Sequence, residues 1–289
     1  MSETIKIIEC PRDAMQGIKT FIPTEGKVKY IQSLLNCGFD TIDFGSFVSP
    51  KVIPQMADTA EVLRHLDLSR TNSKLLAIVA NIRGAEEASA HSGIHYLGYP
   101  FSISENFQMR NTHKTIAQSV ETLAEILKVA NATGKEVVTY ISMGFGNPYG
   151  DPWSVEVVGE WTEKLADMGV GILSLSDTVG TSTPEAIDYL FSNLIPKFPE
   201  IEFGAHLHSV PSKWYEKIDT AYRAGCRRFD GAIQGLGGCP MAKDELTGNM
   251  PTEKILSYFT KEKQDTNVNW MAFEAAFNKA TDLFSQYPI

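Results

Sequence analysis

The sequence predicts a (β/α)8 TIM barrel of the α/β class, and three observations carry that expectation. Eight short β-rich apolar runs recur along the chain, amphipathic segments fill most of the gaps, and 289 residues is the length of one such barrel. An open doubly wound sheet is the rival arrangement of the same elements.

The strands are expected at 4–10 (TIKIIEC), 40–45 (DTIDFG), 74–81 (KLLAIVAN), 94–100 (IHYLGYP), 136–144 (EVVTYISMG), 171–176 (GILSLS), 201–208 (IEFGAHLH) and 227–233 (RRFDGAI). Between them, 24–37 places Val28, Ile31, Leu34 and Leu35 on one helical face and stops at Gly38. Segment 115–133 repeats the pattern with Val120, Leu123, Ile126 and Leu127 and ends before Gly134. Segment 184–195 opens with Thr183-Pro184-Glu185, which suits a cap, a proline at the first helical position and an early acid. Pro211 and Pro251 are expected to open two later helices in the same way. No linker, low-complexity tract or longer repeat divides the chain, so residues 1–289 are read as a single catalytic domain.

The composition narrows the function. A formal net charge of −9 argues against nucleic acid and anionic membranes as partners. It leaves room for an anionic small ligand, because a few cations in a pocket outweigh distant surface charge. Cys10, Cys37, Cys226 and Cys239 form no CxxC pair, so neither a disulfide framework nor a zinc ribbon is expected. The start MSETIKIIEC lacks a basic, then apolar leader, and no apolar run approaches the ~20 residues that span a bilayer. The expectation is a soluble cytoplasmic protein.

In such a barrel, chemistry sits at the C-terminal ends of the strands. Arg12 and Asp13 follow the first strand, Asp43 lies near the end of the second, Asn81 ends the third and Asp177 follows the sixth. His206 and His208 close the seventh, where positions i and i+2 face one side. Two imidazoles beside a carboxylate suit a divalent ion, and barrel closure brings the first strand near the seventh. After the eighth strand, Gly235-Leu236-Gly237-Gly238-Cys239-Pro240 reads as a loop that folds over the mouth and delivers Cys239. Its spacing is not a dinucleotide fingerprint.

PRDAMQ (11–16), FVSPKVIPQM (47–56), AHLH (205–208) and GLGGCPMAKDELTGN (235–249) resemble the metal-dependent lyase and Claisen-condensation TIM barrels. Within that superfamily the chain is most similar to the 3-hydroxy-3-methylglutaryl-CoA lyases. The resemblance implies a divalent metal, Mg2+ or Mn2+, held by Asp13, His206, His208 and Asn249. It implies an acyl-CoA substrate approached by Gln16, Lys19, Asp43 and Ser46, with Lys19 serving the acyl-CoA. Asp177 is implied to support the metal ligands from behind. Arg12 would stabilise an enolate, His206 or Asp13 would take the hydroxyl proton, and Cys239 would serve in proton transfer. A homo-oligomer, dimer or tetramer, and a place in leucine breakdown follow from the same likeness.

Cleavage of this substrate must remove a proton from a tertiary hydroxyl, which a Lewis acid makes easier, and must then stabilise an enolate, which a permanent cation can do. The chain departs from its relatives at several points. Asp43 is one methylene shorter than a usual glutamate, a displacement of ~1.5 Å. Cys10 and Ala14 stand where glycine is common, Asn147 replaces a cysteine, and Ser209-Val210-Pro211 follows the second histidine. A synthase that joins acetyl-CoA to a 2-oxo acid and an aldolase are the rivals of the same superfamily. A non-catalytic metabolite-binding barrel is the rival of another class, and retention of the whole polar set speaks against it. The aromatics Trp270, Phe273, Phe277 and Phe284 have helical spacing and are expected to pack in the core or between subunits.

Overall fold

The computed structural model describes residues 4–238 and 247–288. In chain order the elements of the first half are β1 (Lys6–Glu9), α1 (Pro11–Gln16), α2 (Thr24–Leu35), β2 (Thr41–Ser46), α3 (Thr59–His65), β3 (Lys74–Ile78), α4 (Ile82–Ser89), β4 (Ile94–Ser102), α5 (Glu105–Thr112), α6 (Ile116–Thr133) and β5 (Glu136–Ser142). There follow α7 (Val155–Asp167), β6 (Ile172–Ser176), α8 (Pro184–Lys197), β7 (Glu202–His206), β8 (His208–Ser209), α9 (Trp214–Arg223), β9 (Arg228–Gly231), β10 (Gly248–Asn249), α10 (Thr252–Lys261) and α11 (Trp270–Gln286).

The strands β1 to β7 and β9 close into a barrel in which every neighbouring pair is parallel. All eight expected strands are present, the eighth as β9. The open doubly wound sheet is thereby excluded. One apolar cluster inside the barrel contains Leu76, Ile78, Tyr96, Val138, Tyr140 and Ile172. A much larger one lies between barrel and helices. Burial on both faces is why these strands read as continuous apolar runs rather than as alternation.

The helix ends follow local chemistry. In α6, Thr115 and Gln118 form a reciprocal capping box, and Gly134 turns left-handed at φ 67° to close the other end. In α8, Thr183 caps the helix and Pro184 takes its first position as expected, and the helix runs two residues beyond 195. Three expectations are corrected. Helix α2 ends at Leu35, and Gly38 serves the turn beyond it at φ 87°. Pro211 lies in a turn three residues before α9 rather than at its start. Pro251 is the cap of α10, so its first helical residue is Thr252.

Three further features shape the mouth. Arg12 and Asp13, expected to follow the first strand, do so on the six-residue helix α1, which Pro11 opens. Asn81 does not end β3: it caps α4, its side chain accepting from the Gly84 N–H at 2.9 Å. The seventh strand stops at His206, and His208 belongs to the two-residue β8, which pairs antiparallel with β10 so that His208 faces Asn249.

Helix α11 packs along α2, with Tyr30 against Phe284 (ring centroids 5.7 Å) and Phe39 against Phe273 (6.2 Å). Of the C-terminal aromatics, Phe273 and Phe284 are buried, Phe277 is partly buried and Trp270 is exposed. Among the described residues no helix is long and apolar enough to cross a membrane.

Candidate metal centre and active site

The site begins with α1. A helix of this length carries residues i, i+1 and i+4 on adjoining faces, which brings Arg12, Asp13 and Gln16 together above the barrel. Arg12 is nearly buried and its guanidinium is fully engaged. Nε and Nη2 fork onto Asp43 at 3.1 and 2.5 Å, and Nη1 donates to Asp13 Oδ1 and to Gln16 Oε1, both at 3.0 Å. Asp43 reaches it from β2, beside a bulge between Asp43 and Gly45. Asp43 therefore contacts the arginine directly; the shorter side chain has met a group that reaches toward it.

Asp13 is held at both oxygens. Gln16 Nε2 donates to Oδ1 at 2.6 Å, and Asn249 Nδ2 donates to Oδ2 at 2.6 Å while also reaching the Leu236 carbonyl at 2.8 Å. Burial works to raise its pKa, but Arg12, then His206 and His208, outweigh it, so Asp13 is held below the usual carboxylate value. Burial is the largest influence on Asp43 and raises it in spite of Arg12. For Arg12, burial opposes the charge, and the Asp43 and Asp13 carboxylates more than restore it.

The two histidines are oriented by what lies behind them. His206 Nδ1 is 3.0 Å from Asp230 Oδ2, and His208 Nδ1 is 3.1 Å from the Thr178 carbonyl. With Nδ1–H donated to an oxygen in each case, Nε2 is left as the lone-pair atom, the tautomer that a metal-binding imidazole needs. Burial, then the neighbouring His206, pushes His208 down to about 4, which keeps it neutral. His206 is raised, because Asp230 and Asp13 outweigh its burial.

The ligating atoms of Asp13, His206 and His208 all lie within 4.8 Å of one another. His208 Nε2 is buried and has no hydrogen-bond partner. An orphaned imidazole nitrogen beside an ionised carboxylate is costly unless something electropositive completes it, so the residues fit a divalent cation. Cys10, His206 and Asp230 also approach within 4.8 Å. Burial keeps Cys10 a thiol, and Asp230 already occupies His206 Nδ1, so that group braces the site from below.

These side chains form one wall of a cavity of ≈ 300 Å³ at the C-terminal end of the barrel. Val48, Val52, Ile53, Ile78, Pro100 and Phe107 supply an apolar wall, and Asn111, Thr112, Ser142, Ser176 and Thr178 supply neutral polar groups. Tyr140 stands edge-on to His206 at 5.5 Å.

The structure thus gathers Arg12, Asp13, Gln16, Asp43, His206, His208 and Asn249. Asp177 sits one layer behind, 1% exposed, taking Lys217 Nζ at 2.6 Å and Ser182 Oγ at 2.5 Å. Three of the four expected substrate residues do not line this cavity, and one of them, Asp43, is fully buried against Arg12. Lys19 is exposed and lines a separate cavity with Pro54 and Gln55, and Ser46 lines another, its hydroxyl accepting from the Val48 N–H. Cys239 lies outside the described residues. Sequence reading missed Asp230, Thr178, Tyr140 and Lys217. Asp230 had a signal, an acid near the end of an expected strand; Lys217, a lysine on an amphipathic helix, had none.

The HMGL-like family model matches residues 5–278. A mitochondrial hydroxymethylglutaryl-CoA lyase of Bos taurus is 35% identical over 267 residues, covering 92% of this chain and 81% of its own. The crystal structure of the HMG-CoA lyase from Brucella melitensis superposes with a TM-score of 0.90 at 30% identity, covering 98% of this chain and 99% of that one. An HMG-CoA lyase from Acinetobacter baumannii in complex with coenzyme A and 3-methylmalate does so with a TM-score of 0.90 at 27% identity, covering 99% and 93%.

Proposed function

Because this chain belongs to the HMGL-like family, we propose that its barrel mouth cleaves 3-hydroxy-3-methylglutaryl-CoA to acetyl-CoA and acetoacetate. It is a carbon–carbon lyase of the hydroxymethylglutaryl-CoA lyase type. The observation that carries the reading is the convergence of Asp13, His206 and the unpartnered His208 Nε2 on one point of a cavity that Arg12 also lines. These three residues, with Asn249 as a fourth through its amide oxygen, would hold a divalent cation, and Mg2+ or Mn2+ suits the donor set. When bound, that ion supplies Lewis acidity to the substrate hydroxyl.

The chain's own groups do the rest. Asp13, or His206 where its Nε2 is not given to the cation, accepts the proton of the C3 hydroxyl, and Asp230 behind His206 steadies the imidazole in position. Loss of the C2–C3 bond leaves negative charge on the thioester oxygen. Arg12 presents a permanent positive charge at the cavity wall for that oxyanion, its guanidinium held by the Asp43 fork so that little reorganisation is needed. The apolar wall of Val48, Val52, Ile53 and Phe107 limits water around the carbanion. Cys239, next after Gly238 in the sequence, is the candidate to return a proton to carbon. The solved relative that holds coenzyme A supports an acyl-CoA as the substrate class. We place Gln16 beside the reacting end, and Lys19 and Ser46 outside it.

Acetoacetate release from 3-hydroxy-3-methylglutaryl-CoA tests the reading, first with Mn2+ or Mg2+ and then with EDTA. Metal-dependent product is expected. Folded, metal-loaded protein that releases none would overturn the substrate assignment.

A further inference from the structure

The carboxylate of Glu9 does not line the cavity, yet it is completely buried. Glu9 Oε1 accepts from the Ile233 N–H at 3.0 Å, and Glu9 Oε2 accepts from the Thr252 hydroxyl at 2.6 Å. Ile233 lies just after β9 and Thr252 opens α10, so these are the two stems of one loop. Between the stems lie Gly237 and Gly238, Cys239 and Asn249. One side chain at the end of β1 therefore grips both the segment that leads to Gly237 and the one that follows Asn249.

Both stems are tightly held. Gln234 is left-handed at φ 62°, a conformation that disfavours any residue with a Cβ. It is held there by the Glu253 carboxylate, which accepts its N–H at 3.1 Å, and by Thr281, which accepts from its side chain at 2.7 Å. The backbone of Gly237 then runs so close to α1 that a Cβ would lie 2.5 Å from the Asp13 carbonyl oxygen. Asn249, at the far end, bonds the Asp13 carboxylate itself. A shift of either stem therefore bears on Asp13, through Gly237 at its backbone and through Asn249 at its side chain.

We propose that Glu9 is a positioning residue for the lyase reaction: by clamping Ile233 and Thr252 it keeps Asn249 on Asp13 and so shapes the cation-binding face. The inference rests on the lyase reading of this site, but its first readout does not.

The test is Mn2+ affinity by calorimetry, followed by steady-state kinetics, for the full chain and three variants. Glu9→Gln keeps an acceptor for the Ile233 N–H and offers an amide N–H to the Thr252 hydroxyl, which can turn to accept it, and its Mn2+ affinity and kcat should stay within about twofold of the parent protein. Glu9→Val leaves the Ile233 N–H unpaired, and Mn2+ affinity and kcat should each fall about tenfold with KM little changed. Thr252→Val removes one hydroxyl without touching the carboxylate and should weaken Mn2+ binding in the same direction, which serves if Glu9→Val does not fold. Parental Mn2+ affinity and kcat in Thr252→Val and in any folded Glu9→Val would overturn the proposal. So would a Glu9→Gln variant impaired as deeply as Glu9→Val, because hydrogen-bond geometry would then not be what matters. If the parent protein binds Mn2+ yet releases no acetoacetate, the lyase reading fails and the Mn2+ comparison still decides the clamp.

Discussion

His208 shows how a single residue is prepared for its task. Its Nδ1 is tied to the Thr178 carbonyl, its carbonyl accepts from Lys217 Nζ at 2.8 Å, and burial keeps the ring neutral, so only Nε2 remains to act. Replacing it by alanine should weaken Mn2+ binding by more than about tenfold while the barrel stays folded, as calorimetry and circular dichroism would show. Parental affinity in that variant would remove His208 from the ligand set. Cys239 makes the opposite prediction. A Cys239→Ser variant should bind Mn2+ as the parent does and lose about 10²-fold or more in acetoacetate production, the usual worth of a positioned proton donor. Full turnover would exclude it from the chemistry. Arg12 illustrates a cost of the site: it is saturated by two carboxylates and an amide, so it acts as a fixed cation rather than as a mobile clamp.

At the scale of the element, the loops and short strands above the barrel are fastened by buried charged groups. Lys217 of α9 donates to Asp177 after β6, to the Gly180 carbonyl at 3.2 Å and to the His208 carbonyl of β8. The loop after β6 is thereby held to β8 and α9 at one ammonium group, which is 1% exposed. Lys217→Met should strand the Asp177 charge in the interior and cost about 3–5 kcal/mol, measurable as a lowered urea midpoint at constant m-value. A midpoint equal to the parent's would mean that the pair contributes nothing net. The two-residue strands β8 and β10 belong to the same scale. Their antiparallel pairing sets His208 opposite Asn249 and so joins the seventh strand to the loop after the eighth.

The whole molecule carries a pH dependence that starts at Glu9. Burial raises this carboxyl from an ordinary 4.5 to about 8, helped by the Glu253 charge from α10 and opposed by its bonds to Thr252 and Ile233. Tyr30 from α2 and Cys37 also face it, and both are held in their neutral forms by burial first and by Glu9 next. Between pH 4.5 and 8 the folded chain retains a proton that the unfolded chain has released, so this group's contribution to stability declines as pH rises through that window. The Glu9→Gln variant lacks the decline. Its thermal midpoint relative to the parent should climb steadily from pH 5 to pH 8, by scanning calorimetry. A difference that does not change with pH would show that Glu9 ionises normally.

Much of this molecule is legible from its residues alone. The eight strands could be read in order because parallel barrel strands are buried on both faces and therefore write short, dense apolar runs into the chain. Helices announced their ends through Thr183 and Gly134, since caps are chemistry between residues three or four apart, while the Thr115 cap went unread. Asp13, His206 and His208 were recognisable because the motif resemblance and the strand-end rule point to the same positions. The six-residue α1 was not legible, being too short to show a period, nor was the break after His206, which depends on a partner strand 40 residues away.

What only the tertiary structure decided is pairing across the closed barrel. Arg12 meets Asp43, His206 meets Asp230, Lys217 meets Asp177, and Glu9 meets Thr252, which lies 243 residues away. Periodicity, capping and turn chemistry are local and so are written in the chain. The partner of a buried charge is chosen by which backbones lie side by side once the first strand has closed on the last.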